Sequence, residues 1–393
     1  MKTFINVIAY ISIISLTLLT SFCTTDNSEK KILPEYELVV EDTISIDYIG
    51  NLSVVDYQQE SSKYLAVDKS KGNQVILVFN EKNEILSNFD NLNAGNNSFK
   101  GSLNSISFSK NKNEFLILSD AGLYSYDSTW QIKLFHKNPN SQPKFLNPYF
   151  SIEHFDYKDK VFFISSYNFD DVNFNYLQKE FFQEIQNLTL IDTTSGTFDT
   201  FVHFEQNSPY LSKSRLLPPY ITHFSFNHKH SNLNVLYSQD PTIYQYQFNG
   251  KEFIHINSYK LNLDEFKLNE GNYENDDYDA FKTAMDSRIN RMVSIEDKTY
   301  ITYLKAMNQS KFESLGIDYG DSEEYNQFIF SNYVEAISIF QNGKKISRDI
   351  TLPDYLTGPH VVIGPNKLLM AVPKFKYESS KEVFYIINVL PKL

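Results

Sequence analysis

The chain has 393 residues, 41% of them hydrophobic, enough to bury a large core as one big all-β domain or two ordinary ones. Its net charge of −12 repels phosphate backbones and anionic headgroups, which argues against a nucleic-acid binder and a polybasic membrane-surface protein. A single cysteine, Cys23, leaves no intrachain disulfide and no cysteine-based metal site. Stability must come from packing.

Residues 1–22 carry one positive charge at Lys2, then an uncharged apolar stretch over 4–19, then small polar residues before Phe22 and Cys23. This resembles a bacterial lipoprotein signal peptide, in which the cysteine is lipidated and becomes the first mature residue. The competing reading is an uncleaved anchor of about 19 apolar residues, barely long enough to span a bilayer. The sole cysteine at the end of that stretch favours lipidation. Residues 23–35, with the polar run TTDNSEKK, then read as a tether.

Beyond it the chain repeats. A short apolar run, a polar turn and a more continuous apolar run recur six times, beginning at Leu52, Ser105, Ser151, Thr222, Arg291 and His360. Second runs such as YLAV, FLIL, VFFI and LLMAV have no polar side, so both faces must be covered; they are too short for helices. The abundance of Tyr (27) and Phe (32) also suits strands. A second, alternating hairpin follows each of the first five copies, from Val75, Leu123, Leu188, Ile243 and Ala336. Two hairpins in series make a four-stranded sheet, and six such sheets arranged radially cover one another. The sixth copy is followed by one strand only, EVFYIINVLPKL, while YELVVEDTISI from Tyr36 belongs to no copy. The expected fold is all-β: a six-bladed β-propeller over residues 36–393, its ring closed by an N-terminal strand completing the last blade. In blade spacing it resembles the TolB-like and NHL-like six-bladed propellers, and more narrowly an uncharacterised family of bacterial lipoproteins with one such domain. That resemblance implies a cell-envelope location and carries over no catalytic residue.

Strand order assigns the loops to faces. With strands A to D counted outward, A–B and C–D turns share one end of the ring, B–C and D–A loops the other. Long insertions fall in the second class, over 136–148, 168–187, 205–219, 262–288 and 306–335, making that end the expected recognition face. Phe174, Leu177, Phe181 and Ile185 predict a short helix there, and a second is expected from Asp276. PYFS at Pro148 recurs as PYIT at Pro219, and Pro359-His360 takes the matching place, so Tyr149, Tyr220 and His360 should ring the channel mouth. B strands end on the same face with Asp68, Asp120, Asp240, Lys305 and Lys374. Aromatic rims with a few charges suit a polar ligand, whereas Pro-Tyr as a mere stiffener of the incoming strand is the plainer alternative.

No metal or cofactor is expected. HFSFNHKH puts His228 and His230 in a solvated A–B turn without an acidic partner, the acidic stretch from Asp264 lacks a calcium-loop pattern, and SYDSTW matches a sialidase-type Asp-box too poorly to count. No phosphate loop, nucleophile elbow or HExxH helix is present. The sequence therefore points to a lipid-anchored envelope propeller, at the outer membrane and facing the periplasm or the exterior. It would bind a protein, peptide or glycan without catalysis and touch the membrane only through its anchor. The alternative is a hydrolase or lyase on a polysaccharide or peptide, which paired, strongly shifted carboxylates at a channel mouth would favour.

Overall fold

The structure, a computed structural model, describes residues 33–109, 114–139, 153–158, 160–165, 179–211, 221–268, 285–315, 322–373 and 380–392. The chain divides into Met1–Pro34 and Glu35–Leu393, and the propeller is the second unit. Cys23 lies outside the described residues.

Five consecutive antiparallel sheets arise from the repeats, each in simple A-B-C-D order. Blade one holds β2 (Leu52–Gln58), β3 (Lys63–Asp68), β4 (Val75–Asn80) and β5 (Ile85–Asp90). Blade two holds β6 (Leu103–Phe108), β7 (Glu114–Ser119), β8 (Gly122–Asp127) and β9 (Ile132–Lys137). Blade three holds β10 (Glu153–Tyr157), β11 (Lys160–Ser165), β12 (Leu188–Asp192) and β13 (Thr197–Phe201). Blade four holds β14 (Thr222–Asn227), β15 (Asn232–Tyr237), β16 (Asp240–Phe248) and β17 (Phe253–Lys260). Blade five holds β18 (Arg288–Ile295), β19 (Lys298–Leu304) and β20 (Glu335–Gln341), with its outer strand broken into β21 (Lys344–Lys345) and β22 (Ile350–Thr351).

Blade six is closed by the other end of the chain. β23 (Thr357–Gly364), β24 (Lys367–Ala371) and β25 (Glu382–Pro391) are joined by β1 (Tyr36–Ile46), which pairs with β25 from Tyr36 opposite Pro391 to Ile46 opposite Glu382. A bulge at Glu41 shifts the register, so the strand alternates on either side of it. Its last residues carry the energy: Ile44 and Ile46 are fully buried against Leu52, Val54, Phe79 and Phe384.

The two-sided apolar runs serve the blade interfaces. One cluster joins blades six and one, with Tyr64 stacked on Phe79 and Phe79 on Phe384. Another joins blades one and two, where Trp130 lies between Phe89 and Phe115 at 4.8 and 4.2 Å. Trp130 belongs to SYDSTW, and there Asp127 accepts the backbone N–H groups of Thr129 and Gln131, so the motif fixes a turn. A small cluster of Leu116, Leu118, Leu123, Phe163 and Ile191 joins blades two and three. An aromatic-rich one joins three and four, and two more join four to five and five to six.

The expected continuous outer strand of blade five fails for an electrostatic reason. Lys345 turns its ammonium inward to Asp349 and Asp264, at 2.7 and 2.8 Å, and Asp349 also accepts Tyr303 Oη–H at 2.6 Å. Satisfying that buried cation pulls residues 347–349 off the ladder, just after the Ile346 N–H bond to the Ile339 carbonyl, and ties the loop after blade four onto blade five. Insertions gather at the B–C and D–A end, as expected. α1 (Lys179–Glu184) buries Phe181 and Phe182, with Ile185 just beyond it, whereas Phe174, Leu177 and the helix expected from Asp276 lie outside the described residues. The 306–335 insertion holds two helices not anticipated, α2 (Gln309–Ser314) and α3 (Ser322–Asn332).

If β1 closes the ring, Ile46→Ala should destabilise the protein by about 2–5 kcal/mol, the usual cost of a buried Ile truncation. Val40→Ala on the same strand, 41% exposed, should stay within about 0.5 kcal/mol. Equal shifts in urea midpoint for both variants would reject the closure.

Candidate functional site

Of the rim residues expected from sequence, Tyr149, Tyr220 and Lys374 lie outside the described residues. The others are held by internal partners. Asp68 ends β3 fully buried and accepts Tyr48 Oη–H, the N–H of Asn51, and both the N–H and hydroxyl of Ser70, at 2.7–3.0 Å. Burial pulls its pKa up, but these donors outweigh burial and hold it low. Asp120 accepts the N–H of Ser102 and the amide of Asn104. Asp240 is buried, with Ser208 and Tyr244 hydroxyls on one oxygen at 2.8 and 2.7 Å, and burial raises its pKa. Lys305 reaches Glu265 and Thr351. These four brace the loops of the insertion-bearing end, and the structure does not gather them into one pocket.

His360 does face other chemistry. It sits in a bulge of β23, and its Nδ1 is 3.1 Å from the Val54 carbonyl, which fixes Nδ1–H as donor and spans blades six and one. Burial, then the charges of Arg291 and Lys69, hold its pKa well below the ordinary value, so the ring is neutral. His223 on β14 is likewise neutral, pushed down to about 3 chiefly by burial. Arg291 on β18 is lowered to about 10 by burial, against the pull of Glu335; Lys69, just after β3, is lowered to about 8 by burial and by Arg291. The two cations and two imidazoles thus form one electrically coupled group, contributed by blades one, four, five and six.

Two carboxylates form a second group. Asp56 on β2 accepts the N–H of Phe108, the last residue of β6, and of Tyr57, both at 2.8 Å. Burial nevertheless raises it to about 7. Glu153, the first residue of β10, is raised to about 8 by burial and then by Asp56. Both are only partly buried, and Glu153 borders open space, where solvent moderates the effect of burial. Glu335 is a structural counterpart: buried, it accepts Asn290, the Gly358 N–H and Thr357, joining blades five and six. A Cβ on Gly358 would stand 2.5 Å from that carboxylate, so the contact demands glycine.

Glu153 opens onto a cavity of about 630 Å³ between blades four and five. Its walls are Asn234 and Gln245, hydrogen-bonded to each other, Ser294 and Thr299, likewise paired, and the rings of Tyr259 and Phe340, whereas the Phe226 ring turns to the other side of blade four and stacks on Phe155. The turns over 227–232, 295–298 and 342–343 rim it, so it opens at the short-turn end, opposite the expected recognition face. His228 and His230, read from sequence as a solvated turn, are exposed residues of that rim, with the rings of His228 and His154 6.0 Å apart. Among the described residues no three His, Cys, Asp or Glu side chains group as a metal site requires, and no helix is long and apolar enough to cross a membrane. Asp56, Glu153, Lys69, Arg291 and Glu335 were not singled out from sequence. The available signal was a charge inside an innermost strand, as in LSVVDYQ, SIEHFDY and RINRMVSI.

These features define a six-bladed β-propeller with ionisable groups on its inner strands. No family model matches the sequence, and no curated protein matches it significantly. Among solved structures, a member of the DUF4221 family from Bacteroides vulgatus is similar at TM-score 0.65 and 12% identity, over 92% of this chain and 100% of that one. A Bacteroides fragilis protein whose name marks it as a candidate for export gives 0.45 at 12% identity, over 94% and 98%. A calcium-binding regucalcin from Agrobacterium tumefaciens gives 0.46 at 10%, over 92% and 97%. The first likeness is one of fold alone; the other two bear no argument on this chain.

A carboxyl with a raised folded pKa stabilises below its unfolded value and loses that contribution as pH rises through the folded one. Glu153 therefore weakens the fold progressively between about 4.5 and about 8. His223 and His360 act with the opposite sign, weakening the fold as pH falls below about 6.5. Comparing wild type with Glu153→Gln cancels the histidines. The variant should gain stability relative to wild type as pH rises from 5 to 8, read as a growing difference in melting temperature; a constant difference would refute the burial of this charge.

Proposed function

We propose that the chain is a lipid-anchored propeller of the bacterial cell envelope that binds a protein, peptide or glycan without transforming it. The observation that carries the binding role is the 630 Å³ cavity. Its volume falls in the usual range for small-ligand sites, and its paired amides, paired hydroxyls and two aromatic rings suit a polar ligand with some apolar faces, such as a sugar unit or a short peptide segment. On this reading the ligand enters from the short-turn end. The insertion-bearing end serves a macromolecular partner, with His360 in its ring, Tyr149, Tyr220 and Lys374 completing it, and Asp68, Asp120, Asp240 and Lys305 holding its loops. Envelope location and anchoring rest on the apolar run before Cys23.

A hydrolase on a polysaccharide or peptide is the second reading, favoured by one observation: Asp56 and Glu153 are neighbouring carboxyls held near neutrality, as an acid and base pair would be.

Ligand-observed NMR against a panel of disaccharides and tripeptides separates the two. Binding without turnover, abolished by Ser294→Trp in a variant that melts normally, is expected; release of monomers by wild type but not by Glu153→Gln would establish the hydrolase instead. For the anchor, Cys23→Ser should abolish metabolic labelling with a fatty acid and move the protein toward the soluble fraction. Persistent labelling would remove the lipoprotein assignment.

A further inference from the structure

We propose that the cavity between blades four and five takes its ligand by a primary ammonium group seated on the Glu153 carboxylate. This rests on the reading of that cavity as a ligand site and names the chemistry of the ligand.

The charge distribution carries the argument. The innermost strands deliver one carboxylate to the cavity, Glu153, and among the described residues no hydrogen-bond donor reaches it. A carboxylate so placed costs energy unless a donor or cation arrives. Asp56, from the innermost strand of blade one, is close enough to oppose its ionisation, so the two carboxyls do not ionise together unless a cation joins them. At the rim, the turn after β14 brings Lys229 beside His228 and His230, and the turn after β18 answers with Glu296 and Asp297. Lys229 acts on Asp297, which also takes the amides of Gln341 and Asn342, so the rim cation is matched near the surface and does not neutralise Glu153. An anionic ligand would meet the carboxyl pair, and a wholly neutral one would leave Glu153 without a cation.

The walls fit the rest of such a molecule. Tyr259 and Phe340 offer rings, which attract a cation and cover apolar ligand faces. Asn234, Gln245, Ser294 and Thr299 can exchange their mutual hydrogen bonds for bonds to hydroxyls or amides beside the amine. Two sources share this chemistry, an amino sugar and a peptide N-terminus, and the cavity has room for a disaccharide or a tripeptide.

Proton balance gives the reading a signature. Without ligand, burial and Asp56 keep Glu153 protonated at pH 6. An ammonium favours the ionised carboxylate, so binding releases close to one proton into solvent. The carboxyl O–H gives its proton to the buffer, and no other covalent bond is made or broken.

The test uses the detergent-solubilised full chain and calorimetry at pH 6 in two buffers of different ionisation enthalpy. The probes are the disaccharide of glucosamine and its di-N-acetyl form, and triglycine and N-acetyltriglycine. At least one amine should bind about tenfold or more tighter than its acetylated twin and release close to one proton. Glu153→Gln should erase both the preference and the proton release, while Glu153→Asp and the rim variant Asp297→Asn keep them; melting curves check that each variant folds. The arm that binds tells amino sugar from peptide terminus. Equal binding of acetylated and free forms, absence of binding by both amines, or an unchanged preference in Glu153→Gln would overturn the proposal. If an acetylated probe binds equally well and Ser294→Trp blocks it, the cavity stands as a ligand site and only the ammonium falls. If Ser294→Trp changes nothing, the cavity reading falls too.

Discussion

Ring closure is the constraint on which this structure depends. A propeller blade cannot stand alone, because both faces of its middle strands are apolar and need a neighbour. In an open row of six only the four inner blades have a neighbour on either side, and only a closed circle leaves none with a bare face. Here the circle is shut by backbone pairing between β1 and β25, together with Ile44 and Ile46 packed on blade one. Strand pairing fixes the register at the seam, and side-chain burial makes opening it costly. The same seam explains the stacked Tyr64, Phe79 and Phe384, which carry the core continuously from the first blade to the last.

Closure has an electrostatic consequence. Six innermost strands face one another around an axis, so polar groups on them are deep in the protein without being sealed off. That intermediate setting is where ionisable groups shift most usefully: charged forms are disfavoured, but water and ligands can still arrive. Lys69 and Arg291 with their two neutral histidines occupy one region, and Asp56 and Glu153 another. The two groups answer to different partners: Arg291 to Glu335, and Glu153 to Asp56. Such separation keeps the cationic and the acidic groups electrostatically distinct.

Most of the fold was legible because its signals are periodic. Six copies of an apolar two-strand unit, five alternating hairpins and a spare strand identify blades and closure before any side-chain contact is known. The broken outer strand of blade five was not legible, since Lys345, Asp349 and Asp264 are far apart in sequence and meet only after blade five folds. For the same reason rim acids at strand ends looked like ligand groups. Their partners, such as Ser208 for Asp240 and Tyr48 for Asp68, come from loops whose course the sequence does not specify.

The cavity is a different case, because its trace in the sequence is a breach of the pattern that identifies the fold. Blades one, two, three and six have second runs with no polar side. Blade four instead has NLNVLY followed by YQYQF, which sets Asn232, Asn234 and Gln245 where other blades present apolar side chains to a neighbour. Blade five meets them with Ser294 and Thr299. Two polar faces do not close on each other as Leu and Phe do, since burying amides and hydroxyls against one another costs energy wherever a partner is missing. The interface therefore packs tightly around Leu236, Ile289 and Ile301 and gapes beside the short turns. In a fold sustained by two-sided burial, a strand with one polar side loses packing between blades, a loss that the polar ligand proposed above would offset.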